Sequence, residues 1–303
     1  MMTPKTKEMV LVSLAADSLA LGAHWIYDTS AIEKKFGRVE ELLKPQENSF
    51  HPTKDVGEFT HYGDQTMLLL EYLRDKGVFD LHEFAEKWLD YMKKYTGYMD
   101  NATKQTLFNM EKGEELEAWG SPSSDLGGAS RISPLIFSLH NEPDRLAENV
   151  KEQTAMTHNN PVVVESAALF AGIVLEALKG TSPLDALQKA LSDRPDDDIL
   201  SPLIDAGLKS KGRDTRQTIS DFGQMCEATS ALPSVVHLLA TYENDIKNAL
   251  IENVMAGGDS AARGMIVGMV LGAYHGENSG IPEKWITGLK AYERIMECLE
   301  KIG

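Results

Sequence analysis

The sequence predicts an all-α protein, an orthogonal bundle of many helices in a single domain that spans residues 1–303. Apolar residues recur at spacings of three and four, as in residues 81–95, 162–178 and 234–255, which is the period of a helix buried on one face. Strictly alternating runs of β-branched residues are nearly absent, and no Asn-Gly hairpin turn joins alternating segments. More than ten helices are expected, and no internal repeat divides the chain.

Capping and glycine signals place individual helices. Asn160 precedes Pro161, which pairs a capping side chain with a proline at the first helical position. Asp64 and Asp259 each precede an apolar segment and are candidate N-caps. Three glycines four residues apart give the last of these helices a flat face, so we expect it to pack closely against another helix in the middle of the bundle; they are Gly264, Gly268 and Gly272.

Composition restricts the classes of partner and the compartment. With 30 Lys and Arg against 46 Asp and Glu the net charge is −16, which disfavours broad electrostatic binding to nucleic acid. Cys226 and Cys298 lie too far apart for a disulfide framework or a thiolate zinc site. Asp17 interrupts the first apolar run, so no secretory signal is expected and the cytoplasm is the predicted compartment. The one apolar run that raises the question of a membrane, residues 264–274, is about half the length a span needs, so no membrane partner is expected.

Five short segments combine glycines with residues that can do chemistry: residues 16–25, 60–67, 127–131, 157–161 and 257–263. Glycines let a backbone approach a ligand, and the free N–H groups of a helix start favour an anion. Each feature also has a structural interpretation. The acids Asp64 and Asp259 serve as caps, the pair Gly127 and Gly128 forms a turn, and His158 is a structural residue. A carboxylate inside an apolar helix, Asp17, must be paired or hydrogen-bonded, either as a loop anchor or as part of a site.

In their order along the chain these segments resemble the motifs of the ADP-ribosylglycohydrolase/J1-crystallin family. Residues 17–24 are similar to the opening Gly-Asp-Ala-Leu-Gly helix, and residues 63–67 to the Thr-Asp-Asp-Thr-x-Met metal motif. Residues 127–131 are similar to the phosphate loop, residues 157–161 to the Thr-His-Asn stretch, and residues 257–272 to the closing Gly-Gly-Asp-Thr-Asp-Thr helix. The resemblance implies an all-α fold and removal of ADP-ribose from acceptors by a dinuclear magnesium centre.

The sequence departs from the family pattern at the metal ligands. The six ligand positions are occupied by Gly63, Asp64, Gln65, Asp259, Ala261 and Ala262. Only Asp64 and Asp259 keep a carboxylate, and two acids offer at most one weakly held Mg²⁺ ion. Arg263 follows Asp259 by four residues, the spacing at which an acid and an arginine meet on a helix. We expect Asp64 and Asp259 to meet in one cleft. Our hypothesis is that Arg263 replaces the metal as the cation beside Asp259, and beside Asp64 where the two acids converge; the alternative is an ordinary ion pair on the helix face.

The resemblance and the residue chemistry together imply roles in a glycosidase site. Asp64 or Asp259 would act as the base, and His24 or His61 would donate a proton to the leaving group. The substrate-binding residues would be Gly127, Gly128, Ser130, Arg131, His158 and Arg263. Three functions stay open: a hydrolase that cleaves a glycosidic bond to ADP-ribose or a related nucleotide sugar, a non-catalytic ADP-ribose-binding module, and a structural protein of the J1-crystallin kind. The expected partner is a small-molecule or ADP-ribosylated substrate.

Overall fold

A computed structural model of the chain describes residues 4–195 and 198–302. Within these ranges the chain forms seventeen α-helices, two 3-10 helices (Leu116–Ala118 and Gly276–Asn278) and no β-strand, so the all-α prediction is confirmed. The helices are α1 Pro4–Leu21, α2 Thr29–Phe36, α3 His61–Lys76, α4 Leu81–Met92, α5 Asn101–Glu111, α6 Gly127–Ser130, α7 Ser133–Leu139, α8 Pro143–Ala155, α9 Pro161–Leu178, α10 Pro183–Ser192, α11 Ser201–Lys209, α12 Thr215–Phe222, α13 Ala228–Thr241, α14 Ile246–Met255, α15 Ser260–His275, α16 Glu283–Thr287 and α17 Tyr292–Ile302.

Helices α1 and α15 form the centre of the bundle. All residues of α15 from Ser260 to Ala273 are buried, and α1 and α15 share a more extensive contact than any other pair of described helices. The face of α15 that carries Gly264, Gly268 and Gly272 packs against α1. A Cβ atom at Gly268 would stand 2.7 Å from the carbonyl oxygen of Val12, and one at Gly272 would stand 3.0 Å from that of Glu8. The predicted close packing of this helix in the middle of the bundle is therefore confirmed.

The observed helix starts agree with two of the three predicted caps. Asn160 accepts a hydrogen bond from the N–H of Val162 at the start of α9, and Asp259 accepts one from the N–H of Ala262 at the start of α15. The prediction for Asp64 is wrong, because the N-cap of α3 is Thr60 and Asp64 lies within the first turn. The cap was misplaced since His61-Tyr62-Gly63 was assigned to the loop instead of to the helix.

Asp17 fixes the start of α3. It is fully buried in α1, and its carboxylate accepts hydrogen bonds from the N–H and the hydroxyl of Thr60, at 2.7 and 2.5 Å. Burial raises the pKa of Asp17 to about 7. Of the two roles that the sequence leaves open for this acid, the structure supports that of a loop anchor.

Helix α9 has a property that the sequence analysis did not single out. By length and composition it passes as a membrane-spanning helix, with 18 residues and a mean hydropathy of 1.8. Half of these residues are buried inside the protein, where α9 packs against α8 and α15. Residues 264–274 are therefore not alone: within the described chain, α9 also raises the question of a membrane.

Candidate active site

A cavity of about 560 Å³ opens where the loop after α1, the start of α5 and the loops before α6 and α13 meet. This volume is within the range of small-molecule sites. Its lining combines aromatic rings, carboxyl groups, a thiol and small polar residues: Trp25, Tyr98, Asp100, Asn101, Ala102, Gln105, Ser121, Pro122, Ser123, Ser124, Asp125, Cys226 and Glu227. None of these residues is a lysine or an arginine.

Backbone hydrogen bonds between distant loops bring the acid Asp125 and the thiol of Cys226 together. Asp125 forms an antiparallel bridge with Glu227. On either side of this bridge, the N–H of Leu126 donates to the carbonyl of Cys226 at 2.8 Å, and the N–H of Ala228 donates to the carbonyl of Ser124 at 2.7 Å. The side chains of Asp125 and Cys226 are consequently held at the same edge of the cavity.

Trp25 forms an aromatic wall of the cavity from a strained backbone position. Its φ is +62°, which is unusual for a bulky residue without special support. The support comes from the loop before α15, because the N–H of Trp25 donates to the carbonyl of Gly258 and the N–H of Gly258 donates to that of Ile26, both at 2.9 Å. Tyr98 and Phe50 meet the indole edge-on, each with ring centroids 4.9 Å from it.

Three donor groups, two carboxylates and one thiol, converge beside the cavity. One carboxylate oxygen each of Asp125 and Asp259 and the sulfur of Cys226 lie within 4.8 Å of one another. The hydroxyl of Tyr62 donates to Asp259 at 3.1 Å and stands 3.5 Å from Asp125. Burial and then the charge of Asp259 raise the pKa of Asp125 well above its usual value. Burial likewise raises the pKa of Asp259, although the charge of Arg263 opposes the shift. The pair therefore favours a proton or another cation between its carboxyl groups.

A carboxylate–imidazole pair lies next to the aromatic wall, with the carboxylate of Asp100 on the cavity and the ring of His61 beside Trp25 and Tyr98. The Nε2 atom of His61 is 3.2 Å from Asp100, and the same carboxylate caps α5 by accepting from the N–H of Thr103 at 2.5 Å. Burial raises the pKa of Asp100, but the close contact with His61 and the charge of that ring lower it more, and the net shift is downward. Asp100 is therefore an ionised carboxylate that lines the cavity.

His24, the second histidine with a predicted catalytic role, is buried beside Asp259, with its Nδ1 atom 3.7 Å from the acid. Burial lowers its pKa well below 6.5, so the ring is neutral near pH 7. His51, which stacks on His24, behaves in the same way, and its pKa is lowered to about 3 chiefly by burial. A neutral ring at position 24 does not favour the predicted proton donation.

The structure does not bring Asp64 to this cavity. The carboxylate of Asp64 accepts from the ammonium of Lys54 and the hydroxyl of Tyr95, both at 2.5 Å. It lines a separate small cavity that shares no residue with the one described. The reason is helical geometry: residues two apart point about 200° away from each other around a helix. At the start of α3 the side chain that reaches Asp259 is therefore that of Tyr62, and the predicted pairing of Asp64 with Asp259 is not observed.

Arg263 is fully buried, but its guanidinium does not form the hypothesised ion pair. It donates to the carbonyls of Gly257 and Gln224, at 2.5 and 3.4 Å, and to the side chain of Asn253, at 3.1 Å. Within the described residues it has no carboxylate partner at ion-pair distance. The four-residue spacing fails because Asp259 is an N-cap outside the helix proper, and its side chain turns back towards Ala262. The guanidinium thus stabilises the loop of Gly257 and Gly258 that precedes α15.

The predicted phosphate loop is short helix α6 and is buried. A Cβ at Gly127 would stand 2.2 Å from the ring of Tyr62, and one at Gly128 would stand 2.7 Å from the ring of His158. The N–H of Gly127 is already bound to Asp125 at 2.8 Å. The glycines thus let two rings pack closely, and their predicted contact with a pyrophosphate stays a prediction.

The other polar residues of this segment are also buried behind the cavity. The hydroxyl of Ser130 donates to the carbonyl of Gly127 at 2.8 Å. The guanidinium of Arg131 donates to Gln65 and Thr157 and lies 3.4 Å from the Nδ1 atom of His158. Their predicted contacts with substrate stay predictions as well.

The residues present do not fit a dinuclear magnesium centre. Magnesium requires hard oxygen ligands in octahedral geometry, whereas the converging donors are two carboxylates and a thiol. Two adjacent ions would bring four positive charges to only two carboxylates. Asp64, the other acid that the family motif would supply, is bound to Lys54 on the far side of α3.

Sequence reasoning missed five residues of the site, which are Trp25, Tyr62, Asp100, Asp125 and Cys226. Asp125 could have been found from its position two residues before a glycine pair, where an acid commonly caps the next turn. Asp100 could have been found as the cap of α5. No local pattern marks Cys226, because its position depends on a bridge between distant loops.

Comparison with known proteins gives one consistent result. A family model described as ADP-ribosylglycohydrolase matches residues 3–302. The chain is 23% identical to crystallin J1A of Tripedalia cystophora over 319 residues, which cover 99% of this chain and 96% of that protein. It is 23% identical over 234 residues to an ADP-ribosyl dinitrogen reductase glycohydrolase of Rhodospirillum rubrum, covering 77% and 74% of the two chains. A solved ADP-ribosylglycohydrolase-related protein complex has the same fold, with a TM-score of 0.72 at 19% identity over 99% of this chain and 97% of that one.

Proposed function

Because the chain belongs to the ADP-ribosylglycohydrolase family, we propose that it hydrolyses a glycosidic bond to ADP-ribose or a related nucleotide sugar in the cavity beside Trp25. The observation that carries this proposal is the presence of two carboxylates, Asp100 and Asp125, together with aromatic rings on one cavity of about 560 Å³. Glycosidic hydrolysis proceeds through a transition state with oxocarbenium character, and it is generally catalysed by a pair of carboxylates on either side of the sugar.

Asp100 is the proposed general base. Its carboxylate lines the cavity, is kept ionised, and is oriented from behind by His61 at 3.2 Å. An ionised carboxylate in hydrogen-bond reach of a bound water removes a proton as the water attacks the anomeric carbon. Asp125 faces the same cavity, and because burial and the charge of Asp259 raise its pKa it is the proposed general acid, which donates a proton to the leaving group.

The aromatic wall is the proposed platform for the flat part of the substrate. Trp25 and Tyr98 both line the cavity, and a base that stacks on such rings gains about 1–3 kcal/mol. The strained backbone of Trp25 holds the indole in place before any ligand arrives, which lowers the cost of ordering on binding.

The test is turnover of ADP-ribosylated acceptors linked through arginine, serine or an acetyl group, measured in parallel. Asp100→Asn is the informative variant, because asparagine also caps a helix and keeps α5 intact. We expect turnover of one acceptor class by the wild-type chain and a loss of about a hundredfold or more in Asp100→Asn. Asp144→Asn, on the exposed face of α8, is the control. Equal turnover by Asp100→Asn and the wild type would contradict the assignment of the base.

One relative, crystallin J1A, supports a second candidate, a structural or purely ligand-binding role. Calorimetry separates the candidates. Heat with ADP-ribose but no turnover of any acceptor would favour a binding module, and no heat with ADP-ribose would favour a structural protein.

The proposal includes no dinuclear magnesium centre and places the protein in a reducing compartment, the cytoplasm. Its support is that Cys226 and Cys298 are both free thiols. Since there would be no dinuclear centre, we expect fewer than two bound magnesium ions per chain at saturating Mg²⁺.

A further inference from the structure

We propose that Asp125, Cys226, Asp259 and His24 form a binding site for one transition-metal ion of the zinc type. Three of these side chains converge at the edge of the cavity. The sulfur of Cys226 and one oxygen from each carboxylate already lie within 4.8 Å of one another. Small rotations of these side chains would bring all three atoms to the surface of a single ion, for which ligand distances are about 2.0–2.3 Å.

His24 supplies an independent observation that points to a ligand at this place. The ring is 3% exposed, and neither of its nitrogens has a hydrogen-bond partner among the described residues. A buried polar atom without a partner is costly and rare. The Nδ1 atom is 3.7 Å from Asp259, which is too long for a hydrogen bond. The ring therefore lies next to the three converging donors but outside their group, and it would move towards Asp125 and Cys226 to become the fourth ligand.

The type of donor selects the type of ion. One sulfur, one imidazole nitrogen and two carboxylate oxygens form the mixed donor set that suits Zn²⁺ and related transition ions, whereas Mg²⁺ requires oxygen alone. With an ion bound, a thiolate and two carboxylates would carry three negative charges. A single divalent ion would neutralise two of them. Among the described residues no lysine or arginine forms an ion pair with either acid, and the charge of Arg263 acts on Asp259 only from a greater distance.

The neighbours of these four side chains suit a metal site. Asp125 and Cys226 line the cavity, so an ion between them has one side open to a ligand. Tyr62 donates to the Asp259 carboxylate at 3.1 Å, and the N–H of Gly127 donates to Asp125 at 2.8 Å. Hydrogen bonds of this kind orient metal-bound carboxylates.

The experiment uses Co²⁺ as the probe, added to the whole chain after treatment with a chelator. We expect one Co²⁺ per chain, with a sulfur-to-cobalt charge-transfer absorption that is displaced stoichiometrically by Zn²⁺ and not by an equal concentration of Mg²⁺. Cys226→Ser should abolish the absorption and weaken Zn²⁺ binding by about tenfold or more. Cys298→Ser changes the other thiol, buried in α17, and should keep the absorption.

Asp259→Asn provides a second variant that should fold, because asparagine also caps a helix. It should weaken Co²⁺ binding without removing the charge-transfer absorption at saturation. Absence of the absorption in the wild type, its survival in Cys226→Ser, or tighter binding of Mg²⁺ than of Zn²⁺ would overturn the proposal. These readouts need no turnover, so they stand or fall separately from the proposed hydrolase activity.

Discussion

Asp64 and Asp259 stand at the starts of two helices and have opposite surroundings. Asp64 contacts the ammonium of Lys54 and the hydroxyl of Tyr95, so its charge is balanced where it lies. Asp259 faces a second acid, Asp125, a thiol and a neutral imidazole. Both acids are largely buried, so burial does not distinguish them. The groups around an acid, and not its burial, therefore distinguish an acid that supports the fold from one that can bind a ligand.

The largest expected effect of this difference is on turnover. Asp125→Asn removes the carboxyl group that would donate a proton to the leaving group and should lower turnover of an ADP-ribosylated acceptor by about a hundredfold or more. The measurement is the steady-state rate under saturating substrate, compared with the surface variant Asp144→Asn. Wild-type turnover by Asp125→Asn would remove this acid from the reaction.

The next largest expected effect is on the free energy of unfolding, through the pair of Asp64 and Lys54. Asp64→Asn leaves the ammonium of Lys54 without a carboxylate in a partly buried place, since the two side chains are 13% and 14% exposed. We expect a loss of about 3 kcal/mol in the free energy of unfolding, measured by urea denaturation. A loss below about 0.5 kcal/mol would show that the pair behaves as an exposed ion pair, against the structure.

A smaller effect concerns Asp17, which is buried among hydrogen-bond donors with neither a cation nor an acid in contact. Its pKa is about 7 in the folded chain against about 3.8 for an unperturbed aspartate, so between these values the folded state holds a proton that the unfolded state releases. Stability should therefore fall as pH rises from about 4 to 7, by about 1.4 kcal/mol per pH unit from this group, and level off above pH 7.

The matched variant for that pH dependence is Asp17→Asn, which has no proton to release. Its free energy of unfolding, measured in urea at a series of pH values, should fall less steeply with pH than that of the wild type. Parallel pH profiles for the two proteins would contradict the raised pKa of Asp17.

The smallest expected effect has the opposite sign. Asp125→Asn removes the repulsion between two neighbouring acids and should raise the free energy of unfolding of the metal-free chain by about 1 kcal/mol near pH 8. One variant would then lose turnover and gain stability. Destabilisation of the metal-free chain by Asp125→Asn would mean that the acid pair supports the fold, as the Asp64 pair does.

The sequence predicts most of the fold because its signals are local. The glycines of α15 and the caps Asn160 and Asp259 depend on neighbours within one or two turns, and each appears in the structure as predicted. The site is less predictable from sequence. Whether Tyr62 or Asp64 points at Asp259 depends on where α3 begins, and the bridge between Asp125 and Glu227 joins loops with no shared motif. A spacing such as that between Asp259 and Arg263 predicts a contact only when both residues are helical.

The central claim is that the functional centre lies beside Asp125 and Asp259 and not beside Asp64. A crystal structure of the chain with bound ADP-ribose tests this claim most directly. The account predicts that the distal ribose lies between Asp100 and Asp125, with the ligand against the ring of Trp25. ADP-ribose bound instead in the cavity that Lys54, Tyr91 and Lys94 line would contradict it.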